Sequence, residues 1–163
     1  MSQGTIYEVL QEDHRAVSEL IQQALASTDD EERDDLIAQI AEELTAHSEA
    51  ESQTFYAALR EHPETQQLVD DAEREHQDVT MLLDELDQVD DEDAVEQGIR
   101  RLKQLVEHHV QEEESEIFES ARTVLGEEEA REIARRFEEE KGERMGDGLA
   151  GDELADEEDF VAE

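Results

Sequence analysis

The sequence has no cysteine and no tryptophan, one proline, and two lysines among 163 residues. Without cysteine there are no disulfides, no zinc–thiolate sites and no thiolate-bound iron–sulfur clusters, so any metal must be held by nitrogen and oxygen. Pro63 is the single proline, and no stretch alternates apolar and polar residues. Little breaks long helices, and nothing reads as a strand. Positive charge is scarce too, with 13 basic side chains against 51 acidic ones, a net charge of -38. A surface of that sign does not neutralise phosphates, so no nucleic acid is expected as a partner. Anionic membrane surfaces are disfavoured for the same reason. No apolar run approaches the ~20 residues that span a bilayer. The start, MSQGTIYEVL, has neither the basic residues nor the long apolar stretch of a signal peptide. A cytoplasmic protein is expected.

Charge of one sign repels itself and opposes compaction. The apolar residues are nevertheless periodic, which argues for a folded chain. At about 1 M salt the Debye length falls to ~3 Å and surface repulsion is largely screened. The composition therefore points to a salt-rich cytoplasm, as in an extreme halophile.

What is present is helical pattern. A first helix is predicted from Thr5, where Thr5 and Glu8 form a capping box. Its apolar face is Ile6, Leu10, Val17, Leu20, Ile21 and Ala24. The Ser27–Asp30 cluster ends it and offers the next N-cap, with Glu31 three residues after Thr28. The second helix runs toward Pro63, which suits the first turn of the third because its missing N–H costs nothing there. Asp90 to Asp93 cap the fourth, and Gly126 marks its end. A short fifth helix is predicted from Glu127 to about Lys141. Residues 142–163 hold four of the seven glycines and nine acids against one arginine. Such a segment buries too little apolar surface to offset its ordering entropy. The reading is an all-α protein: an up-down four-helix bundle over 1–125, an accessory helix over 126–141 and a flexible acidic tail over 142–163.

The histidines carry the chemistry. His14 to His47 is 33 residues, and so is His76 to His109. A shift of 62 places His14 on His76, His47 on His109 and Glu51 on Glu113. Val17, Leu20 and Leu44 fall on Val79, Leu82 and Val106 under the same shift. This is an internal repeat of a two-helix unit. All six polar residues share a helix face with apolar neighbours three, four or seven positions away, so they point into the core. Burying four imidazoles and two carboxylates is costly unless something pairs with them, and a metal cluster would. His47 and Glu51 are one turn apart, as are His109 and Glu113, close enough to bind one centre. Pseudo-symmetry gives one metal to His14 and His47, the other to His76 and His109, with Glu51 and Glu113 as bridges. Bundle cores are a known setting for such dinuclear sites. Mixed imidazole and carboxylate ligation at an open position suits two iron ions, with manganese or zinc as alternatives.

Other polar residues read differently. His62 beside Pro63 is a helix-end residue. His108 points about 100° away from His109 around the helix and is expected to be exposed. Tyr7 and Tyr56 are expected to pack in the core with hydrogen-bonded hydroxyls, a role beside the metal ligands being the alternative. Of the run Glu112–Glu114, only Glu113 has the phase of a core residue; the others read as a solvated face.

Asp13-His14-Arg15, His47-x-x-x-Glu51 with Phe55-Tyr56, Glu75-His76, and His109-x-x-x-Glu113 with Ile117-Phe118 together resemble the hemerythrin superfamily, specifically its HHE cation-binding domains. The resemblance covers residues 5 to about 124. It implies a non-haem di-iron protein that binds O2, NO or a related small molecule for sensing, buffering or detoxification. Thr80 stands where the oxygen carriers have a fifth histidine. The four-histidine set is closer to di-iron proteins that repair iron–sulfur clusters and to eukaryotic iron- and oxygen-sensing domains. That gives the alternative of an iron donor or enzyme supporting cluster repair, although the cysteine-bearing region of the repair proteins is missing. Related bundles host different activities, so enzyme, sensor and carrier all stay open at this point.

Overall fold

The computed structural model describes the backbone of residues 4–153 and the side chains of residues 4–145. The elements are α1 (Ile6–Ala26), α2 (Asp30–Glu51), α3 (Ala57–Arg60), α4 (Pro63–Leu86), α5 (Glu92–Glu112), α6 (Phe118–Val124) and α7 (Glu127–Glu153). Two π-turns, Ser52–Tyr56 and Glu113–Ile117, join α2 to α3 and α5 to α6. Each joined pair is one rod, so the chain makes a hemerythrin-like bundle of four long rods with α7 as a fifth.

The rod ends follow local chemistry. Glu8 accepts the Thr5 backbone N–H at 3.1 Å, the reach-back half of the capping box. Asp29, rather than Thr28, caps α2 by accepting from Glu32 N. Pro63 opens α4, with Thr65 Oγ1 donating to the Leu59 carbonyl across the turn. Asp91 caps α5 through Ala94 N at 3.0 Å. At Gly98 an added Cβ would stand 2.5 Å from Leu86 Cδ2, so the lack of a side chain lets α4 and α5 close together there.

The apolar faces assemble into two clusters. One gathers Ile6 and Leu10 of α1, Phe55 and Tyr56, Leu59, Val69, Phe118, and Ile133 and Phe137 of α7. The other gathers Val17 and Ile21 of α1, Ile40 and Leu44 of α2, Val79 and Leu82 of α4, and Ile99, Leu102 and Val106 of α5. In every rod the candidate ligands fall between the stretches that feed these clusters.

The last helix departs from expectation. It continues past Lys141 to Glu153, so residues 142–153, read as tail, are helical; the rest of that expected tail lies outside the described residues. Three ion pairs with the bundle favour the extension. Lys141 Nζ pairs with Asp13 and Glu43 at 2.9 and 3.0 Å, and Arg144 Nε pairs with Glu49 at 2.8 Å. Composition alone does not register such docking. Among the described residues no helix is long and apolar enough to cross a membrane.

Candidate metal centre

The six residues singled out by the repeat meet in the middle of the bundle. Glu51 and Glu113 have no exposure, and His14, His47, His76 and His109 are all buried. Their donor atoms form two groups, His14–His47–Glu113 and Glu51–His76–His109, each within 4.8 Å. The carboxylates link the groups. Glu51 Oε1 is 3.3 Å from His47 Nε2 and 3.3 Å from His76 Nε2. Glu113 Oε1 is 3.1 Å from His14 Nε2 and 3.9 Å from His109 Nε2. Each carboxylate thus stands between one imidazole of either pair, the place a bridge would occupy.

The π-turns explain part of this geometry. A π-turn widens the helix by one residue, so side chains five apart come to share a face. Glu51 and Tyr56 are five apart across the first turn, and both are fully buried together with Phe55. Tyr56 O–H donates to Glu113 Oε2 at 2.6 Å, and its ring stacks on His76 with centroids 5.4 Å apart. The second π-turn lies within one residue of the equivalent register and carries Glu113 and Glu114.

The outer faces of the imidazoles are held by carboxylates. His47 Nδ1 lies 2.9 Å from Asp13 Oδ2, and its repeat mate His109 Nδ1 lies 2.7 Å from Glu75 Oε1. His14 Nδ1 lies 2.7 Å from Glu114 Oε2. Glu114 is therefore not simply part of a solvated face. Such partners fix the tautomer and raise ligand basicity in histidine metal sites. Asp13 and Glu75 precede His14 and His76 in the chain, and that adjacency was their signal in the sequence. Glu114 had none, because an unbroken α-helix turns it outward.

The remaining polar residues divide. His108 is exposed, with Nε2 3.4 Å from Glu75 and 3.3 Å from Glu112. His62 precedes α4 as its N-cap. Tyr7 packs in the core beneath the Arg122 guanidinium, 4.4 Å from its ring centroid, but its buried hydroxyl has no hydrogen-bond partner among the described residues, contrary to expectation.

Electrostatics set the charge state. Burial alone would keep His14, His47 and His109 neutral, but facing carboxylates outweigh it. Glu113 and Glu114 push His14 up to about 9, and Glu51 and Asp13 push His47 up to about 10. Burial opposes ionisation of Glu51 as well, yet Glu113, His47 and His76 hold it well below the usual carboxylate range. Glu113 is raised by burial and by the neighbouring Glu51 charge. Protonated imidazoles therefore offset the buried carboxylates wherever no cation does.

The donor set fits a metal. Among the described residues His14 Nε2, His47 Nε2, Glu113 Oε1 and both Glu51 oxygens are buried without a hydrogen-bond partner. Several sit at ion-pair distance from one another without hydrogen-bond alignment, while His76 Nε2 and His109 Nε2 share a 3.1 Å hydrogen bond. Ligands about 2 Å from one ion stand roughly 3–4 Å apart, the spacing seen here. Beside the donors is a cavity of about 30 Å³, walled by Val17, Leu44, Val79, Val106 and the histidine rings.

Fold and donor set together define a helical bundle with a buried histidine–carboxylate centre. The chain matches the hemerythrin HHE cation binding domain over residues 5–121, and it belongs to that family. It is also similar to a protein of Nostoc sp. named DNA nickase, 29% identical over 153 residues, which is 90% of this chain and 42% of that protein. The chain thus spans less than half the length of that relative. No solved structure matches it.

Proposed function

We propose that this chain is a non-haem di-iron protein whose centre takes a small diatomic molecule such as O2 or NO, and so senses, buffers or detoxifies it. His14 and His47 would hold one ion, His76 and His109 the other, with Glu51 and Glu113 between them. Bound iron would supply Lewis acidity and redox electrons. The observation that carries the reading is the placing of both buried carboxylates between the two histidine pairs, beside a small apolar cavity.

The protein's own residues do the rest. Asp13, Glu75 and Glu114 keep three imidazoles oriented, and Tyr56 holds Glu113 in place. The cavity volume of about 30 Å³ suits one or two water-sized molecules, since one needs roughly 10–15 Å³. Its valines and leucine restrict water at the donors. The acidic surface is read as an adaptation to concentrated salt, and the bundle 1–125 as the metal-binding unit with the last helix as its brace.

Anaerobic iron reconstitution tests the proposal. About two irons per chain are expected by elemental analysis, with less in His76→Ala and Glu113→Ala, and a visible-spectrum response to O2 or NO. Equal iron in the variants and the parent would remove the ligand assignment. DNA nicking, the activity in the Nostoc relative's name, is the weaker reading for this chain, because 51 acids against 13 bases oppose phosphate binding. Incubation of the reconstituted protein with supercoiled plasmid discriminates, open circles favouring nicking.

A further inference from the structure

The two halves of the centre are copies in sequence, but their imidazoles are not held alike. Three Nδ1 atoms have carboxylate partners at 2.7–2.9 Å: His14 with Glu114, His47 with Asp13, and His109 with Glu75. The fourth has none among the described residues. His76 Nδ1 is buried without a hydrogen-bond partner, and Glu73 Oε1 lies 3.8 Å away. The repeat explains the difference. Under the shift of 62, Glu114 falls on Ser52. Serine is too short to take the carboxylate's place on the ring. Its Oγ instead donates to Glu73, whose oxygens lie 2.9 and 2.8 Å away.

His76 also stands between two spaces. On one side is the small apolar cavity beside the donors. On the other is a groove of about 700 Å³ that His76 lines with Ser52, Glu73, Gln77 and Thr80. The stack on Tyr56 and a 3.1 Å hydrogen bond between His76 Nε2 and His109 Nε2 hold the inner side of the ring, but among the described residues no carboxylate reaches hydrogen-bond distance of its outer nitrogen, Nδ1. Glu73, which also lies 3.8 Å from Arg60 Nη2, places a carboxylate beside the ring, and Arg144 lines the same groove.

We infer that His76 is the releasable ligand of the centre, and that the position it shares with His109 and Glu51 exchanges a divalent cation through the groove while the His14–His47–Glu113 position retains its own. The inference rests on the metal-binding reading above. Losing an outer partner of a metal-bound histidine typically costs about 10–100-fold in affinity, so the two positions differ on that scale.

The test uses the full chain loaded anaerobically with two Fe2+ and mixed with excess ferrous chelator, iron release being followed by absorbance. Two phases of equal amplitude are expected, separated by about 10–100-fold in rate because the weaker affinity is expressed mainly as faster release. Ser52→Glu, which supplies the missing carboxylate, slows the fast phase and leaves the slow one in place. Glu114→Ser, which strips the other half of its partner, speeds the slow phase. Circular dichroism checks each fold; if Ser52→Glu does not fold, the parent's phases and Glu114→Ser decide. Two irons leaving in a single phase, or two phases that neither substitution shifts, overturn this inference alone. A chain that takes up no iron overturns the metal-binding reading and this inference with it.

Discussion

Lys141 Nζ lies 2.9 Å from each carboxylate oxygen of Asp13. Asp13 in turn holds His47 Nδ1, so an ammonium on α7 reaches a site imidazole through one carboxylate. Residue 141 lies outside the matched family segment, 5–121. Phe137, one turn earlier, packs edge-on against the His47 ring with centroids 5.6 Å apart. The last helix thus takes part in positioning this half of the centre.

Lys141→Met should therefore destabilise the metal-free protein by about 1–2 kcal/mol, the range for hydrogen bonds to charged groups discounted for partial exposure. The substitution leaves Asp13 and Glu43 without the cation they share. Urea unfolding at fixed high salt measures the change. An unchanged midpoint would mean that α7 docks through Phe137 and its apolar neighbours alone.

Tyr56→Phe removes the donor to Glu113 and keeps the ring on His76. Hydrogen bonds to ionisable buried groups contribute about 1.5–3 kcal/mol, so a loss of that order is expected in the metal-free protein. A tyrosinate absorbance titration gives a second readout. Burial and the neighbouring Glu113 and Glu51 hold the Tyr56 hydroxyl well above its usual value of 10.0, and burial raises Tyr7 too. Native protein should show little tyrosinate near pH 10; ordinary ionisation of both tyrosines there would contradict the contacts described.

The pH dependence has a definite sign. His14 and His47 are raised from 6.5 to about 9 and about 10. A group raised on folding contributes stability that is complete below its unfolded value and lost as pH rises through its folded value. Metal-free protein should weaken steadily from about pH 6.5 to 10. Glu51 is lowered from 4.5, so its contribution is lost instead on the acid side. Metal must displace the imidazole protons, so iron uptake should strengthen over the same alkaline range. Urea midpoints and iron affinities at pH 6.5 and pH 9.5, at constant salt, check both; parallel trends would refute the competition.

Salt should act through the net charge of -38. Raising ionic strength from about 0.1 to about 1 M shortens the Debye length from ~10 to ~3 Å. The metal-free protein should gain helical circular dichroism and thermal stability over that interval. A melting temperature indifferent to salt would show that local ion pairs, such as Arg135 with Glu132, already absorb the repulsion.

The meeting of the six residues in the core was legible because they obey both a helical phase and a 62-residue shift, a double constraint that chance seldom meets. The cap at Thr5, a cap within Asp90 to Asp93 and the start at Pro63 were legible from local chemistry. Glu114 was not, since a π-turn changes the phase on which an α-helical count relies. Lys141 was not, since its partners Asp13 and Glu43 lie far away in the sequence. Ser52 became informative only once Glu114 was seen to hold His14, because the repeat then shows what position 52 lacks.

The two apolar clusters have a mechanical consequence. Val17, Ile40 and Ile99 belong to one, Leu10, Phe55 and Phe137 to the other, and the polar centre separates them as a septum. Cooperative unfolding requires that disrupting one cluster be felt in the other. Across the septum, in the bare chain, that message passes through helix backbones, and in two of the four rods a π-turn interrupts the α-helical ladder. A bridged cation pair would tie all four rods at their midpoint. Metal loading would then convert two loosely linked folding units into one.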